Sequence, residues 1–210
     1  FPELLKEIPD PPIVIYVKGK SKELKNIKNS VGIVGTRKMT AYGKNATEKI
    51  VKGLVEKGLT IISGLAEGID TVAHRTAIEN NGRTIAVLGN GIDIIYPNSN
   101  YDIYWQIVRE SGLVFSEYPP GSLPTRSSFP LRNRIISGLS KAIVVVEGKK
   151  TSGAMITAKY ALDQGREVFA VPGPINYPTS EGTSYLIKNG ACVATKAEDI
   201  LGLVLIYPES

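Results

Sequence analysis

One unit recurs along this chain and constrains its fold more than any other feature: a short apolar run, a turn containing glycine, and a run with helical periodicity. Its first copy is VGIVGTRKMTAYG, residues 31–43, in which a buried strand ends at Gly35-Thr36 and a helix follows. Glycine lets the backbone approach a ligand, and the first N–H groups of a helix lack partners within it. The turn is therefore either a phosphate site, with Arg37 at its rim, or only a tight connection.

The alternation of apolar strands with helices of about three turns predicts a parallel sheet covered on both faces. This is the α/β, doubly wound, mostly parallel, extended Rossmann-like class. We interpret residues 1–30 as a lead-in segment, with an extra strand at 13–17 and a solvated lysine-rich connection at 18–30, and residues 31–205 as the core domain. The later strands are predicted at residues 59–63, 84–88, 113–116, 142–146, 167–171 and 192–194.

Composition limits the classes of function. The 210 residues suit one α/β domain, and the net charge of +5 favours polyanionic partners without requiring them. A single cysteine, Cys192, excludes an internal disulfide framework and fits a reducing cytosol. The start carries acids and prolines, and no stretch approaches the roughly 20 apolar residues of a membrane helix. We expect a cytoplasmic protein that does not contact membranes, and Phe1 suggests a fragment or a trimmed chain.

The loops at the carboxyl ends of the strands are rich in glycine, hydroxyls and cations, as expected of an anion-binding rim. Gly89-Asn90-Gly91 lacks the third glycine and the later acid of a dinucleotide fingerprint, and no P-loop lysine motif occurs. We therefore predict no cofactor. His74, four residues after Asp70, is either a metal or acid–base pair or a packed structural residue. No nucleophile motif occurs, so we predict neither catalytic residues nor a metal site.

A long irregular segment, residues 117–134, is expected at the surface and ends in SSFPLRNR. This octapeptide joins the aromatic Phe129 to Arg132, Asn133 and Arg134, directly after Arg126. Cations neutralise phosphates, while an aromatic or guanidinium plane stacks an unpaired base, a combination that suits single strands better than a duplex. The alternative is that Phe129 packs on the sheet and one arginine pairs with an acid, Glu117 or Glu147.

Successive motifs resemble those of the DNA-processing protein A family, DprA or Smf, in order from about residue 10 to residue 200. These motifs are GTRKMTAYG, SGLAEGIDTVAH, TIAVLGNGIDIIYPNSN, SEYPPG, FPLRNRIISGLSKAIVVVEG, SGAMITAKYALDQGREVFAVPG and GTSYLIKNGA. The resemblance implies a Rossmann fold without nucleotide chemistry, in a cytosolic bacterial protein that dimerises. It also implies that the protein coats incoming single-stranded DNA and loads the recombinase RecA during natural transformation.

The resemblance also suggests DNA-binding positions. The basic residue of GTR is Arg37, and the cation before the FPxRNR motif is Arg126; Thr40 replaces a serine that is more common in the family. Further helical and winged-helix-like domains, common at the two ends of family members, are not expected here. The predicted DNA-binding residues are Arg37, Lys38, Ser63, Gly64, Arg126, Phe129, Arg132, Asn133, Arg134 and Ser152.

Two other classes stay open. A nucleotide-handling enzyme of the lysine-decarboxylase-like fold would release base from a nucleoside phosphate, but such enzymes carry PGGxGTxxE where this chain has PGPINYPTSEG. An interaction scaffold with a vestigial rim is the other alternative.

Overall fold

Most strands of this protein are largely apolar and lie buried between two layers of helices, in a computed structural model that describes residues 1–20 and 27–204. The strands in the described residues are β1 (Tyr16–Gly19), β2 (Ser30–Val34), β3 (Thr60–Ser63), β4 (Thr84–Leu88), β5 (Gly112–Ser116), β6 (Ala142–Val145), β7 (Glu167–Ala170) and β8 (Cys192–Val193). The α-helices are α1 (Glu3–Lys6), α2 (Ala41–Glu56), α3 (Ile69–Glu79), α4 (Tyr101–Gln106), α5 (Ser128–Gly138), α6 (Gly153–Asp163), α7 (Glu181–Lys188) and α8 (Ala197–Val204). A π-helical turn, Ile107–Ser111, extends α4.

The strands form one sheet in the order β1-β5-β4-β3-β2-β6-β7-β8. Every neighbouring pair is parallel except β1 and β5, which are antiparallel. The predicted doubly wound, mostly parallel class is therefore confirmed. Strand order reverses between β2 and β6, and a crevice at the carboxyl ends of such a strand pair is where this class of sheet binds ligands.

The central strands are buried on both faces, so their side chains divide between two main cores. Val31 and Ile33 of β2 pack in one cluster with residues of α2, α3 and α8. Val34 points to the opposite face and packs in a second cluster with residues of α5 and α6. Since alternate residues of one strand serve both clusters, β2 is anchored from both sides and its carboxyl end is held in place.

The lead-in segment is part of the same sheet and core. The extra strand, β1, runs antiparallel to β5 and starts at Tyr16, later than the predicted start at Ile13, which is 97% exposed. Leu5 is buried against the small Gly138 of α5, where a Cβ atom would lie 2.9 Å from the leucine methyl. Within the predicted lysine-rich connection, residues 21–26 lie outside the described part of the structure, as does the predicted end of the core domain at residue 205.

Helix α5 corrects one prediction, because the irregular segment ends at residue 127 rather than at 134. The helix begins at Ser128 and places Pro130 in its first turn, where a missing N–H costs no helical hydrogen bond. The proline is therefore compatible with the start of this helix. Consequently Arg132, Asn133 and Arg134 lie on a helix and are buried, instead of extending from a surface loop.

Candidate functional site

A pocket of about 720 Å³ lies at the carboxyl ends of β2 and β6, where strand order reverses. Its walls come from the β2–α2 loop, the β6–α6 loop, the start of α5 and the loop that follows β4. Seven predicted residues line it: Arg37, Lys38, Arg126, Phe129, Arg132, Asn133 and Ser152. The fold thus brings together residues that are far apart in the sequence, at the edge where ligands were expected.

The β2–α2 loop is fixed by a buried acid, Glu147, at the end of β6. The Thr36 N–H donates to the Glu147 carbonyl at 2.7 Å, and the Thr40 hydroxyl donates to the Glu147 carboxylate at 2.6 Å. The Thr40 N–H donates to the same carboxylate at 3.0 Å, while its hydroxyl caps α2 by accepting from the Gly43 N–H. These bonds tie both ends of a short loop whose central side chains, Arg37 and Lys38, remain exposed.

The start of α3 holds the same loop from the other side. Gly68 has a positive φ of 79°, and a Cβ atom there would collide with the carbonyl oxygen of Thr36. The Ile69 N–H then donates to that carbonyl at 3.2 Å. Only glycine permits this close approach of two backbones, so Gly68 helps to place Arg37 at the pocket.

A guanidinium and two aromatic rings form one wall of the pocket. The Arg37 guanidinium carbon lies 5.5 Å from the centre of the Phe129 ring, within cation–π range. The Tyr96 ring packs on Phe129 with centroids 5.6 Å apart and planes 32° apart, and Tyr96 is 42% exposed. A tilted pair of aromatic rings therefore lies directly beside a positive charge.

Arg126 is the second cation at the pocket mouth. It is exposed, and within residues 1–20 and 27–204 it has no hydrogen bond or ion pair. Its flanking residues are ordered by reciprocal bonds at 3.1 Å, from the Thr125 N–H to the Ser128 hydroxyl and from the Ser128 N–H to the Thr125 hydroxyl. The backbone is thus held while the guanidinium is free to meet an anion.

Arg132 lies at the floor of the pocket, where its guanidinium binds backbone carbonyls and stabilises the fold. It is 4% exposed, and its Nη1 amino group donates to the carbonyls of Gly64, at 2.6 Å, and Val87. Burial lowers the pKa of Arg132 to about 10, opposed by the nearby charge of Asp70. The side chain therefore stays positive at neutral pH and contributes charge from beneath the pocket.

Arg134 and Ser63 do not lie at the anion-binding rim that the sequence predicted. The guanidinium of Arg134 is 8% exposed, donates two bonds to Glu117 at 2.8 and 2.6 Å, and donates a third to Asp10 at 2.9 Å. This is the ion pair that the sequence left open as an alternative. Ser63 is fully buried, and its hydroxyl donates to the Ile33 carbonyl at 2.7 Å. Both side chains hold the fold beside the site and do not line the 720 Å³ pocket.

Gly64, Asn133 and Ser152 take supporting positions. Gly64 borders the pocket through a smaller recess of about 60 Å³, and a side chain there would collide with the guanidinium of Arg132. The Asn133 amide donates to the Gly153 carbonyl at 3.3 Å, which joins α5 to the start of α6. Ser152 precedes α6, and its buried hydroxyl oxygen has no partner among the described residues.

The pair Asp70 and His74 is structural. Asp70 accepts from the N–H groups of Gly64 at 3.1 Å and Ala66 at 3.4 Å, while burial raises its pKa. His74 is fully buried and its Nδ1 donates to the Thr84 hydroxyl at 2.7 Å, since that hydroxyl itself donates to Ile61. Burial lowers the pKa of His74 to about 3. In the part of the chain that the structure describes, no group of His, Cys, Asp and Glu side chains could share a metal ion.

Two site residues escaped the sequence analysis. Tyr96 lies in the loop after β4. An aromatic residue in a loop at the carboxyl edge of the sheet could have been predicted from the sequence as part of a binding site. Glu147 was considered only as an ion-pair partner, and its bonds to Thr40 depend on a contact between distant segments that no local pattern shows.

The fold and site define a Rossmann-like protein with a cationic, aromatic-walled pocket at the switch point of its sheet. The family model described as DNA recombination-mediator protein A matches residues 1–204. A curated relative, protein Smf of Synechocystis, is 49% identical over 210 residues, which are 99% of this chain and 52% of the relative. The chain belongs to the DNA-processing protein A family, which confirms the resemblance seen in the motifs.

Solved structures of family members have the same fold. DNA processing protein A from Streptococcus pneumoniae superposes with a TM-score of 0.92 and 41% identity, over 100% of this chain and 72% of that one. The protein from Helicobacter pylori, whose structure is described in terms of its single-stranded DNA binding mode, has a TM-score of 0.87 and 29% identity over 98% of this chain and 93% of that one. The chain spans about half the length of the Synechocystis relative. Among residues 1–20 and 27–204, no helix has the length and apolar character to cross a bilayer.

Proposed function

We propose that this chain binds single-stranded DNA, without catalysis, in the pocket at the carboxyl ends of β2 and β6. The observation that carries the proposal is the placement of exposed cations, Arg37, Lys38 and Arg126, around the paired rings of Phe129 and Tyr96. Cations that track a backbone, together with aromatic faces that stack bases, are the common design of proteins that bind single strands without sequence preference. The Helicobacter relative, described as binding single-stranded DNA, supports the same class of ligand.

The shape of the pocket favours a single strand over a duplex. In a duplex each base stacks on its neighbours, so its face is not available to a protein ring without distortion. The Phe129 and Tyr96 rings line a concave wall beside Arg37, where an unpaired base can enter while its phosphate stays at the rim. Both contacts require only features shared by all nucleotides, so we expect little sequence preference.

The polar groups near the pocket support a binding role rather than hydrolysis. Glu147 accepts from the backbone and hydroxyl of Thr40, and Asp70 accepts from two backbone N–H groups, so both carboxylates serve the fold. The rival, a nucleoside phosphate hydrolase, predicts release of free base from nucleoside monophosphates. Incubating the protein with each monophosphate and separating the products by chromatography distinguishes the two, and we expect no free base.

Membership of the DNA-processing protein A family also suggests a cellular role. We propose a cytoplasmic homodimer that protects incoming DNA and loads the recombinase RecA in natural transformation. Light scattering on the purified chain tests the dimer. RecA filament formation on DNA coated by a single-strand binding protein, with and without this chain, tests the loading.

Fluorescence anisotropy tests the binding proposal itself. A labelled oligo-dT and a duplex of equal length are titrated at two salt concentrations. We expect tighter, salt-sensitive binding of the single strand, lost in the double variant Arg37→Ala/Arg126→Ala. If the double variant and the parent bound the single strand with equal affinity, the pocket would not be the DNA-binding site.

A further inference from the structure

A second groove, of about 410 Å³, lies along the exposed side of α6 next to the pocket. It begins at the β6–α6 loop and continues for about two turns of the helix. Its sides include the exposed lysines Lys150 and Lys159 and the half-buried ring of Tyr160. None of these three residues lines the pocket at the carboxyl ends of β2 and β6.

The groove and the pocket are continuous. Thr151, Ser152 and Ile156 line both of them, so the two depressions share one edge at the start of α6. Ile156 is 37% exposed at this divide. A flexible chain that leaves the pocket on this side passes over Thr151 and Ser152 and enters the groove directly.

The charges of the groove match a phosphate backbone along most of its length. Within the described residues, neither Lys150 nor Lys159 has an ion pair, and the Lys150 ammonium lies 5.4 Å from the centre of the Tyr185 ring. Asp163, one helical turn beyond Lys159, is the acid that lines the far end. Positive charge is therefore nearest the pocket, and the acid limits how far an anionic chain can extend.

We propose that a single strand bound in the pocket continues across the start of α6 into this groove. There Lys150 and Lys159 contact phosphates, and the Tyr160 ring lies beside the bases. The inference rests on the proposed binding of single-stranded DNA and adds to it a second segment of the path. Its consequence is that affinity depends on the length of the strand, since only a longer strand fills both the pocket and the groove.

Length-dependent anisotropy tests the inference. The double variant Lys150→Ala/Lys159→Ala is compared with the parent on oligo-dT of about six and about twenty nucleotides. We expect the variant to bind the long strand about tenfold more weakly, with a salt slope lower by about 1.4, and to bind the short strand like the parent. The matched control is Lys49→Ala/Lys52→Ala, two exposed lysines of α2 that line neither the pocket nor the groove.

Three outcomes would overturn the inference, and they are distinguishable. Equal affinity of the variant and the parent for the long strand shows that DNA does not use the groove. Loss of self-association in light scattering, with unchanged DNA binding, shows that the groove holds a second copy of this chain. If the parent binds neither length, the proposed function itself fails, and the path fails with it.

Discussion

The guanidinium of Arg37 lies against the ring of Phe129, at 5.5 Å from its centre, although Arg37 comes from the β2–α2 loop and Phe129 from the first turn of α5. This contact places a positive charge directly beside an aromatic ring, and in the proposed site the charge would bind a phosphate and the ring would stack a base. It follows from the strand order, because α5 connects β5 to β6, and β6 pairs with β2. The two roles of the pocket can be tested separately.

Removal of a rim cation should weaken binding equally for all DNA sequences. For Arg37→Ala and for Arg126→Ala we expect each lost phosphate contact to lower the salt slope by about 0.7. Anisotropy titrations over a series of salt concentrations give this slope. Arg75→Ala, which removes an exposed cation of α3 away from the pocket, is the control. An unchanged slope in both rim variants would contradict the assignment.

Removal of a ring should weaken binding without changing its salt dependence. Phe129→Ala and Tyr96→Ala should each cost about 1–3 kcal/mol, because one base loses its stacking partner. Tyr96→Phe keeps the ring and should bind like the parent. Tyr101→Ala removes an exposed ring that packs on Trp105 instead, and serves as the matched control. A parallel fall in salt slope would show that the rings act only by positioning Arg37.

Arg132 should matter to stability more than to DNA contacts. Arg132→Met leaves Asp70 buried without its neighbouring cation and leaves the Gly64 carbonyl without its donor, so the free energy of unfolding should fall by about 3 kcal/mol or more. Urea unfolding followed by fluorescence of the single tryptophan measures it. The exposed Arg37→Met should stay within about 0.5 kcal/mol of the parent. Equal stability of the two variants would show that Arg132 is not structural.

His74 predicts a loss of stability in mild acid. Its pKa is about 3 in the folded protein and about 6.5 in the unfolded chain, so between these values only the unfolded state takes up the proton. The free energy of unfolding should therefore fall by about 1.4 kcal/mol per pH unit below pH ~6.5, or about 2 kcal/mol by pH ~5. The raised pKa of Asp70 has the opposite effect, because a carboxyl that binds its proton more tightly in the folded state increases the free energy of unfolding as pH falls.

The variant His74→Asn isolates the contribution of the histidine, because Asp70 remains in both proteins. Asparagine can still donate to Thr84 but does not titrate. We expect the stability advantage of the parent to shrink as pH falls from about 6.5 to about 5. If the difference in free energy of unfolding between the parent and the variant stayed constant across this pH range, the lowered pKa of His74 would be contradicted.

The sequence was sufficient for the fold class because a parallel strand covered on both faces is mostly apolar, and β2 and β4 are buried at every position. It was also sufficient for the exposed cations Arg37 and Arg126, which follow from loop position. It did not show that Arg132 and Arg134 are both buried, because a local pattern does not distinguish an exposed arginine from one whose partners lie far away. Those partners, Gly64 for one and Glu117 with Asp10 for the other, meet them only in the folded sheet.

Photocrosslinking tests the central claim most directly, since it reports where the strand lies. A single-stranded oligonucleotide that carries 5-iododeoxyuridine is irradiated in complex with the protein, and the adducts are mapped by mass spectrometry. We predict adducts on Phe129 and Tyr96. Trp105 offers an internal comparison, because this aromatic residue outside the pocket has the ammonium of Lys18 at 4.5 Å and the guanidinium of Arg109 at 5.1 Å from its ring. Adducts confined to Trp105 or its neighbours, with none on the pocket rings, would contradict the account.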